Sequence, residues 1–301
     1  MIEEQKPNNS TETAFLPMQC YVPCGLELNK IYNESNLDTM KRMPDNFVDL
    51  TVTSPPYDNL RDYKGYSFPF EDIAKELYRV TKNGGVVVWV VADATIEGSE
   101  TGTSFKQALY FMQCGFNLHD TMIYKKTGVG SSGSNLAYPQ AFEYMFVFSK
   151  GKPNTINHLK DIENKEYGQL KKYAKTKSDV NGYLSETVTK QVERNTKRDN
   201  VWYYHIGFSN GGDKTEHPAV FPEQLAADHI YSWSNENDLV YDCFMGSGTV
   251  AKMSILNNRN FIGSEISSEY CNIIEERIKK AWEEKRKEKD LQAGTLFGNE
   301  M

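Results

Sequence analysis

Residues 86–92 (VVVWVVA) form the segment that most restricts what this chain can fold into. A strand that is apolar on both faces has to be covered on both faces, as strands inside a parallel sheet are. Residues 238–244 (DLVYDCF) predict a second buried strand. Segments with helical spacing alternate with the predicted strands, so we expect a three-layer α/β fold with a mostly parallel sheet.

The other elements follow from apolar spacing and turn residues. Residues 70–82 place Ile73, Leu77 and Val80 on one helical face, and the run Asn-Gly-Gly at 83–85 ends this helix. Further predicted strands are 30–33, 46–53, 118–125, 143–150, 201–208 and 260–266. Further predicted helices are 37–43, 103–113, 222–233, 250–257 and 268–289.

The composition argues against several classes of protein. Hydrophobic residues make up 39% of the 301 residues, which is enough for a sizeable core. No apolar run approaches the roughly 18 residues of a membrane helix, and the polar N-terminus does not resemble a signal peptide. Five cysteines, an odd number, indicate reduced thiols in the cytoplasm. Cys20 and Cys24 have no second Cys/His pair at a usable spacing, so we expect no metal site.

Charge is distributed unevenly along the chain. Residues 150–200 contain twelve Lys/Arg against seven Asp/Glu, a net +5 in a chain of net −7. The segment lacks strong periodicity, and we interpret it as a partly helical insert. It is either a solvated surface insert or a basic surface for nucleic acid.

Residues 54–57 read Ser-Pro-Pro-Tyr and directly follow the predicted strand 46–53. Proline cannot donate to a sheet ladder and its φ is fixed, so the pair ends the strand and stiffens the turn. The turn is either a simple strand terminator or a rigid shelf for a ligand. On the second interpretation, it presents the Ser54 hydroxyl, the Pro55 carbonyl and the Tyr57 ring at the carboxyl end of a strand, where α/β sheets bind ligands.

A second motif follows the predicted strand 238–244. Gly246 and Gly248 allow a tight turn before a helix, and helix N-termini offer free N–H groups. Glu265, at the end of the next predicted strand, is placed to accept hydrogen bonds from ribose hydroxyls. Ala251 occupies the third glycine position of a dinucleotide fingerprint, so these residues alone also allow a nicotinamide-dependent dehydrogenase.

The order of these motifs resembles that of the β group of amino-methylating DNA methyltransferases. In that group a Ser/Asp/Asn-Pro-Pro-Tyr motif comes first, a target-recognition region follows, and a Phe-x-Gly-x-Gly cofactor motif comes last. Here the Ser-Pro-Pro-Tyr motif precedes the basic segment, and Phe-Met-Gly-Ser-Gly at 244–248 follows it. Residues 217–222 (HPAVFP) resemble the segment that walls the cofactor in the family. The resemblance covers roughly residues 29–280.

The resemblance implies a Rossmann-like fold with a circularly permuted motif order and S-adenosylmethionine as cofactor. The implied catalytic residues are Ser54, Pro55, Pro56 and Tyr57. The implied cofactor residues are Asp242, Phe244, Met245, Gly246, Ser247, Gly248, Thr249 and Glu265, with His217, Pro218 and Phe221. We expect DNA contacts from Lys171, Lys172, Lys175, Lys177, Arg194, Lys197 and Arg198. The implied organisation is a flexible segment 1–28, a catalytic half 29–150, a target-recognition region 151–200, a cofactor half 201–290 and a tail 291–301.

The reaction that the resemblance implies is methyl transfer to an exocyclic amine of a base flipped out of duplex DNA. Ser54 and the Pro55 carbonyl would accept hydrogen bonds from the amine, and Tyr57 would stack on the base. Asp93, after the buried strand 86–92, would either touch the base or brace the site.

Several alternatives stay open at this point. Ser-Pro-Pro-Tyr is typical of N4-cytosine enzymes of the family, which we favour over N6-adenine specificity. A catalytically inactive DNA-binding subunit is an alternative, and the order of motifs disfavours a protein- or RNA-amide methyltransferase. The implied partners are double-stranded DNA, a cognate restriction endonuclease and a second copy of the chain, with no membrane partner.

Overall fold

The computed structural model describes residues 25–56, 68–127, 138–175, 186–205 and 222–297. Its strands are β1 (Lys30–Tyr32), β2 (Val48–Thr53), β3 (Thr81–Val91), β4 (Thr95–Ile96), β5 (Ser99–Glu100), β6 (Asn117–Thr127), β7 (Phe142–Ser149), β8 (Ile162–Glu163), β9 (Leu170–Lys175), β10 (Glu186–Gln191), β11 (Asn195–Thr196), β12 (Val201–His205), β13 (Leu239–Asp242) and β14 (Asn260–Ser264). Its helices are α1 (Asn36–Arg42), α2 (Phe70–Val80), α3 (Thr103–Gln113), α4 (Glu223–Trp233), α5 (Thr249–Leu256) and α6 (Ser268–Phe297). Predictions for Cys20, Cys24, Tyr57, Lys177, His217, Pro218 and Phe221 lie outside the described residues.

The main sheet has the strand order β1-β14-β13-β2-β3-β7-β6-β12. Strands β1, β14, β13, β2 and β3 form one parallel set, and β12 and β6 are parallel to each other. Strand β7 runs antiparallel to both β3 and β6. The mostly parallel α/β sheet predicted from the sequence is therefore confirmed.

Strand β3 explains the continuous apolar run, because its side chains alternate between two cores. Val87, Trp89 and Val91 face the core under α1, α2 and α3. Val86, Val88 and Val90 face the opposite core, under α4 and α5. Helix α6 packs on α5 through a third, smaller cluster that includes Ile255, Ile274 and Ala281. Helices on both faces of the sheet give the three layers expected.

Helix α2 ends earlier than predicted, at Val80 instead of residue 82. Strand β3 begins directly afterwards, and Thr81 pairs with Val48. The Phe47 N–H donates to the Val80 carbonyl (2.7 Å). This carbonyl therefore has a backbone partner from another segment and needs none from a further helical turn. At the other end of the chain, α6 continues to Phe297, beyond the predicted residue 289.

The prediction of a partly helical segment at 151–200 is wrong for the part that the structure describes. Strands β9 and β10 pair in antiparallel register over six residues each, and β8 pairs with β11. None of these four strands joins the main sheet. The β-branched run Thr187-Val188-Thr189 favours strand, but its partner β9 contains three lysines and no β-branched residue.

Within the described ranges, no helix combines the length and the apolar character needed to cross a membrane.

We predict that Gln107→Leu destabilises the fold through the indole of Trp89. The Trp89 Nε1–H donates to Gln107 Oε1 over 2.8 Å, and both side chains are buried. Leucine leaves that donor buried without an acceptor, which costs about 1–3 kcal/mol of the free energy of unfolding. Urea denaturation measures the loss, and Gln113→Leu at the exposed end of the same helix is the control. Equal losses in the two variants would contradict this account of Gln107.

Candidate active site

The carboxyl ends of β2 and β13 bring the two sequence motifs together. These strands are parallel neighbours, with Val240 opposite Leu50 and Tyr241 opposite Thr51. Beyond the paired residues, the Thr53 hydroxyl donates to Asp242 Oδ1 over 2.6 Å. Both side chains are buried, and they lie 189 residues apart in sequence. The Ser-Pro-Pro turn and the glycine loop therefore leave the sheet side by side at one edge.

The predicted shelf begins where β2 ends. Strand β2 ends at Thr53, as the double proline requires, and Ser54 follows directly. Pro55 is buried, whereas Ser54 and Pro56 are partly exposed. The turn is therefore anchored through Pro55, and Ser54 remains accessible beside it.

The loop after β13 depends on its two glycines. Gly246 and Gly248 have φ angles of 54° and 79°, in the left-handed region that favours glycine. A Cβ atom added to Gly248 would lie 2.7 Å from Ile274 Cγ2 of α6. The Gly248 N–H also donates to the Met245 carbonyl (2.8 Å), which closes the turn just before α5. A side chain at Gly248 would therefore push the loop away from α6.

Glu265 links the loops after β13 and β14. Its Oε2 accepts a hydrogen bond from the Gly246 N–H (2.8 Å), and its Oε1 accepts one from the Ser267 N–H (2.9 Å). Burial raises the pKa of this carboxyl group above its ordinary value. Each carboxylate oxygen can accept a further hydrogen bond, so the group is oriented and can still bind a hydroxyl.

Asp242 has an unusual environment for a carboxylate. Besides the Thr53 hydroxyl, its Oδ1 accepts a hydrogen bond from the Phe244 N–H (3.1 Å). Burial raises the pKa of Asp242 to about 7, the two hydrogen bonds oppose that rise, and the charge of Glu265 adds to it.

Phe244, the first residue of the predicted Phe-x-Gly-x-Gly motif, packs its ring edge-on against Phe68, with a centroid distance of 5.6 Å.

Three predicted cofactor residues use their side chains for contacts within the protein. Met245 is buried, and its Cε approaches Gly263 on β14. The hydroxyl groups of Ser247 and Thr249 accept hydrogen bonds from the Arg277 guanidinium on α6 (3.1 and 3.3 Å). The side chains of Met245, Ser247 and Thr249 therefore hold the loop in place, and their role toward the cofactor stays a prediction.

Asp93 braces the site from the end of β3. One oxygen accepts a hydrogen bond from the Ser104 N–H (2.8 Å), and the other accepts one from the Ser104 hydroxyl (2.5 Å). These contacts cap the N-terminus of α3. Of the two roles left open by the sequence, the structure supports bracing.

Two residues of the site, Thr53 and Arg277, were not predicted from the sequence, and Asn36 also contacts the loop. The Asn36 amide donates to the Cys243 carbonyl (3.1 Å) and so ties the start of α1 to the loop. Arg277 had a recognisable signal, because it lies at the helical spacing of the buried residues Ile274 and Ala281. An arginine at a core position needs a buried polar partner.

The basic segment contains both paired and exposed cations. Arg198 forms ion pairs with Asp161 and Asp228 and lies over the Trp202 ring, so its guanidinium is engaged within the protein. Lys171 pairs with Glu166, and both side chains remain accessible, so its DNA contact stays a prediction. Of Lys175 the structure describes the backbone alone. The predicted contacts that remain exposed are Lys172, Arg194 and Lys197, and none of them forms an ion pair within the part of the chain that the structure describes.

Two solved structures share this fold over more than four-fifths of the chain. The PvuII DNA methyltransferase (cytosine-N4-specific) matches with a TM-score of 0.61 at 21% identity, over 82% of this chain and 85% of that one. The M1.HpyAVI–SAM complex matches with a TM-score of 0.55 at 20% identity, over 82% of this chain and 98% of that one.

The chain belongs to the DNA methylase family (N6/N4 methyltransferases), whose model matches residues 48–276. The orphan methyltransferase M.BamHII of Bacillus amyloliquefaciens is 57% identical over 77% of this chain and 89% of its own length. The type II methyltransferase M.BglII of Bacillus subtilis is 29% identical over 82% of this chain and 68% of its own length. The predicted family and S-adenosylmethionine as its cofactor are confirmed, and the dehydrogenase alternative is excluded.

We predict that Gly248→Ala costs at least about 1 kcal/mol more of the free energy of unfolding than Gly151→Ala does. Both glycines have positive φ angles, 79° and 76°, so both variants carry similar backbone strain. Only the Cβ at position 248 meets another side chain, Ile274, because the space around Gly151 is open. Chemical denaturation measures the difference, and equal losses would show that the Ile274 contact has no effect.

We predict that Asp242→Asn changes the pH dependence of stability. The folded-state pKa of about 7 exceeds the ordinary 3.8, so between these values the folded state holds a proton that the unfolded state has released. Rising pH therefore favours unfolding of the wild type across this window, whereas asparagine does not titrate. The Tm of Asp242→Asn relative to wild type should rise by a few degrees between pH 5 and pH 8. The exposed Asp38→Asn is the control, and parallel curves for Asp242→Asn and wild type would contradict the prediction.

Proposed function

We propose that the protein transfers a methyl group from S-adenosylmethionine to the N4 amine of cytosine in duplex DNA, after the base has flipped out. The observation that carries the proposal is the juxtaposition of the Ser54–Pro55 turn and the 242–249 loop at one sheet edge, joined by the Thr53–Asp242 hydrogen bond. A methyl donor on the loop then lies beside an acceptor on the turn.

The cofactor is expected on the loop side of this edge. Glu265 would accept hydrogen bonds from the ribose hydroxyls through the lone pairs that its two backbone contacts leave unused. The backbone at Gly246 and Gly248 would allow the ligand to approach closely. The roles of His217, Pro218 and Phe221 as a wall of the cofactor site rest on the family resemblance alone.

The turn side would prepare the amine for attack. The lone pair of an exocyclic amine is conjugated with the ring, which makes it a poor nucleophile. Hydrogen bonds from the two N–H groups to the Ser54 oxygen and the Pro55 carbonyl would favour a tetrahedral nitrogen with a free lone pair. The nitrogen then forms a bond to the methyl carbon as the carbon–sulfur bond breaks, leaving S-adenosylhomocysteine. The methylated amine releases its extra proton readily, so Ser54 need not be a strong base.

Two observations favour N4-cytosine over N6-adenine as the target. The shelf carries Ser54 where aspartate is typical of N6-adenine enzymes of the family. The PvuII methyltransferase, whose fold matches at a TM-score of 0.61, is described as cytosine-N4-specific. Because both amines need the same acceptors, adenine is the second candidate.

DNA affinity is proposed to come from exposed cations of the basic segment. Lys172 on β9, with Arg194 and Lys197 near β11, would neutralise phosphates and hold the duplex over the site. A cognate endonuclease and a homodimer stay predictions, and M.BamHII carries the name of an orphan methyltransferase.

The product can be identified in genomic DNA from a methylation-free host that expresses the wild type or Ser54→Ala. We expect N4-methylcytosine from the wild type by nucleoside mass spectrometry, and at least about a hundredfold less from Ser54→Ala, because one oriented acceptor is lost. Binding of S-adenosylmethionine by Ser54→Ala should remain within about twofold of wild type, since Ser54 lies on the turn and not on the loop.

The other outcomes separate the alternatives. N6-methyladenine alone would keep the enzyme class and overturn the choice of base. Neither product, despite measurable cofactor binding, would favour an inactive DNA-binding subunit.

Lys172→Ala should weaken binding to duplex DNA by the same factor whatever the DNA sequence. Loss of one phosphate contact reduces the slope of log K against log salt concentration by about one. Fluorescence anisotropy at several salt concentrations measures this slope. Lys160→Ala is the matched control, because Lys160 is an exposed lysine of the same segment that already pairs with Glu193. If Lys160→Ala and Lys172→Ala have the same slope, Lys172 has no phosphate contact.

A further inference from the structure

We propose that Arg277 is a positioning residue for the cofactor: it holds the 246–249 loop in its binding shape from the rear, and the affinity for S-adenosylmethionine depends on it. The proposal rests on the function proposed above, in which this loop binds the cofactor. Arg277 lies on α6, outside both sequence motifs, and its guanidinium is almost fully buried, with the side chain 4% exposed.

The guanidinium reaches three oxygens of the loop. Its Nη1 donates to the Ser247 carbonyl over 2.6 Å and approaches the hydroxyls of Ser247 and Thr249 at 3.1 and 3.3 Å. A carbonyl held toward α6 fixes the orientation of its peptide plane. Arg277 therefore determines how the backbone runs between the two glycines.

The same helix sets how closely the loop can approach. Ile274, one turn before Arg277, fills the space where a Cβ of Gly248 would lie. Residues three apart share one helix face, so Ile274 supplies the packing surface and Arg277 supplies the hydrogen bonds. Ile274 and Arg277 therefore hold the loop from α6, while Glu265 binds it at the Gly246 N–H.

Glu223 holds the guanidinium in position. Arg277 Nη2 donates to Glu223 Oε1 over 2.6 Å, and Lys252 of α5 donates to both oxygens of the same carboxylate (2.9 and 3.1 Å). Glu223 is the first residue of α4, so the network joins α4, α5 and α6 behind the loop. Lysine at 277 would keep the charge but would lack the fork of donors that reaches the loop and Glu223 together.

The chain offers a matched control in Arg259. It is also buried (8% exposed), and it donates to the Ser234 hydroxyl, the Ser234 carbonyl and the Asn257 carbonyl. It precedes β14, at the end of that strand opposite Glu265. Arg259→Lys therefore breaks a similar set of buried hydrogen bonds without touching the loop.

The experiment measures three quantities for Arg277→Lys and Arg259→Lys: the Kd of S-adenosylmethionine by calorimetry, the KM and kcat for methyl transfer to duplex DNA, and the Tm. We expect Arg277→Lys to raise the Kd and the KM for S-adenosylmethionine about tenfold or more, because charged hydrogen bonds that orient the loop are lost. The kcat at saturating cofactor should fall less than about threefold. Arg259→Lys should lower the Tm comparably and leave the Kd within about twofold.

Glu223→Gln is the second variant, which keeps the test decisive if Arg277→Lys does not fold. It weakens the anchor of Arg277 without altering the loop, and we expect it to raise the Kd of S-adenosylmethionine about threefold. A Kd for both Arg277→Lys and Glu223→Gln within twofold of wild type, or an equal rise in Arg259→Lys, would overturn the proposal.

Glu265→Ala separates this inference from the function on which it rests. If Glu265→Ala loses cofactor binding and Arg277→Lys does not, the positioning role of Arg277 is wrong and the placement of the cofactor stands. If Glu265→Ala binds S-adenosylmethionine like the wild type, the placement of the cofactor on this loop fails, and the inference about Arg277 fails with it.

Discussion

The hydrogen bond between Thr53 and Asp242 is the contact on which the site depends. It joins the ends of β2 and β13 at the sheet edge where the turn and the loop emerge. Both groups are buried, so the bond is shielded from competing water, and its loss would leave a buried carboxylate with fewer donors. Because Ser54 is the next residue in the chain, any shift of Asp242 relative to β2 would move the acceptor relative to the cofactor loop.

The rest of the fold maintains the geometry of these two segments. Pro55 buries the turn, Asp93 fixes the start of α3, and Asn36 holds the Cys243 carbonyl. Behind the loop, α6 contributes Ile274 and Arg277. Catalysis by orientation needs such support. In the proposed mechanism the turn supplies hydrogen-bond acceptors and the loop supplies backbone contacts, and neither supplies a strong acid or base.

The sequence predicted the architecture and both motifs because their signals are local. The apolar run at 86–92 reports burial on both faces of β3, and the double proline at 55–56 marks the end of β2. Contacts between distant segments leave weaker local signals. The directions of the Ser247 and Thr249 hydroxyls depend on Arg277, about thirty residues later, and the pairing of Arg198 with Asp228 depends on where α4 packs. Among the strands at 162–196, β9 was missed because it contains three lysines and no β-branched residue.

A crystal structure with S-adenosylhomocysteine would test the central claim most directly, namely that the two motifs build one site. The account predicts that the ribose hydroxyls bind Glu265 and that the sulfur atom faces the Ser54–Pro55 turn across the β2–β13 edge. A ligand bound elsewhere, or one on the loop whose sulfur faces away from Ser54, would contradict it.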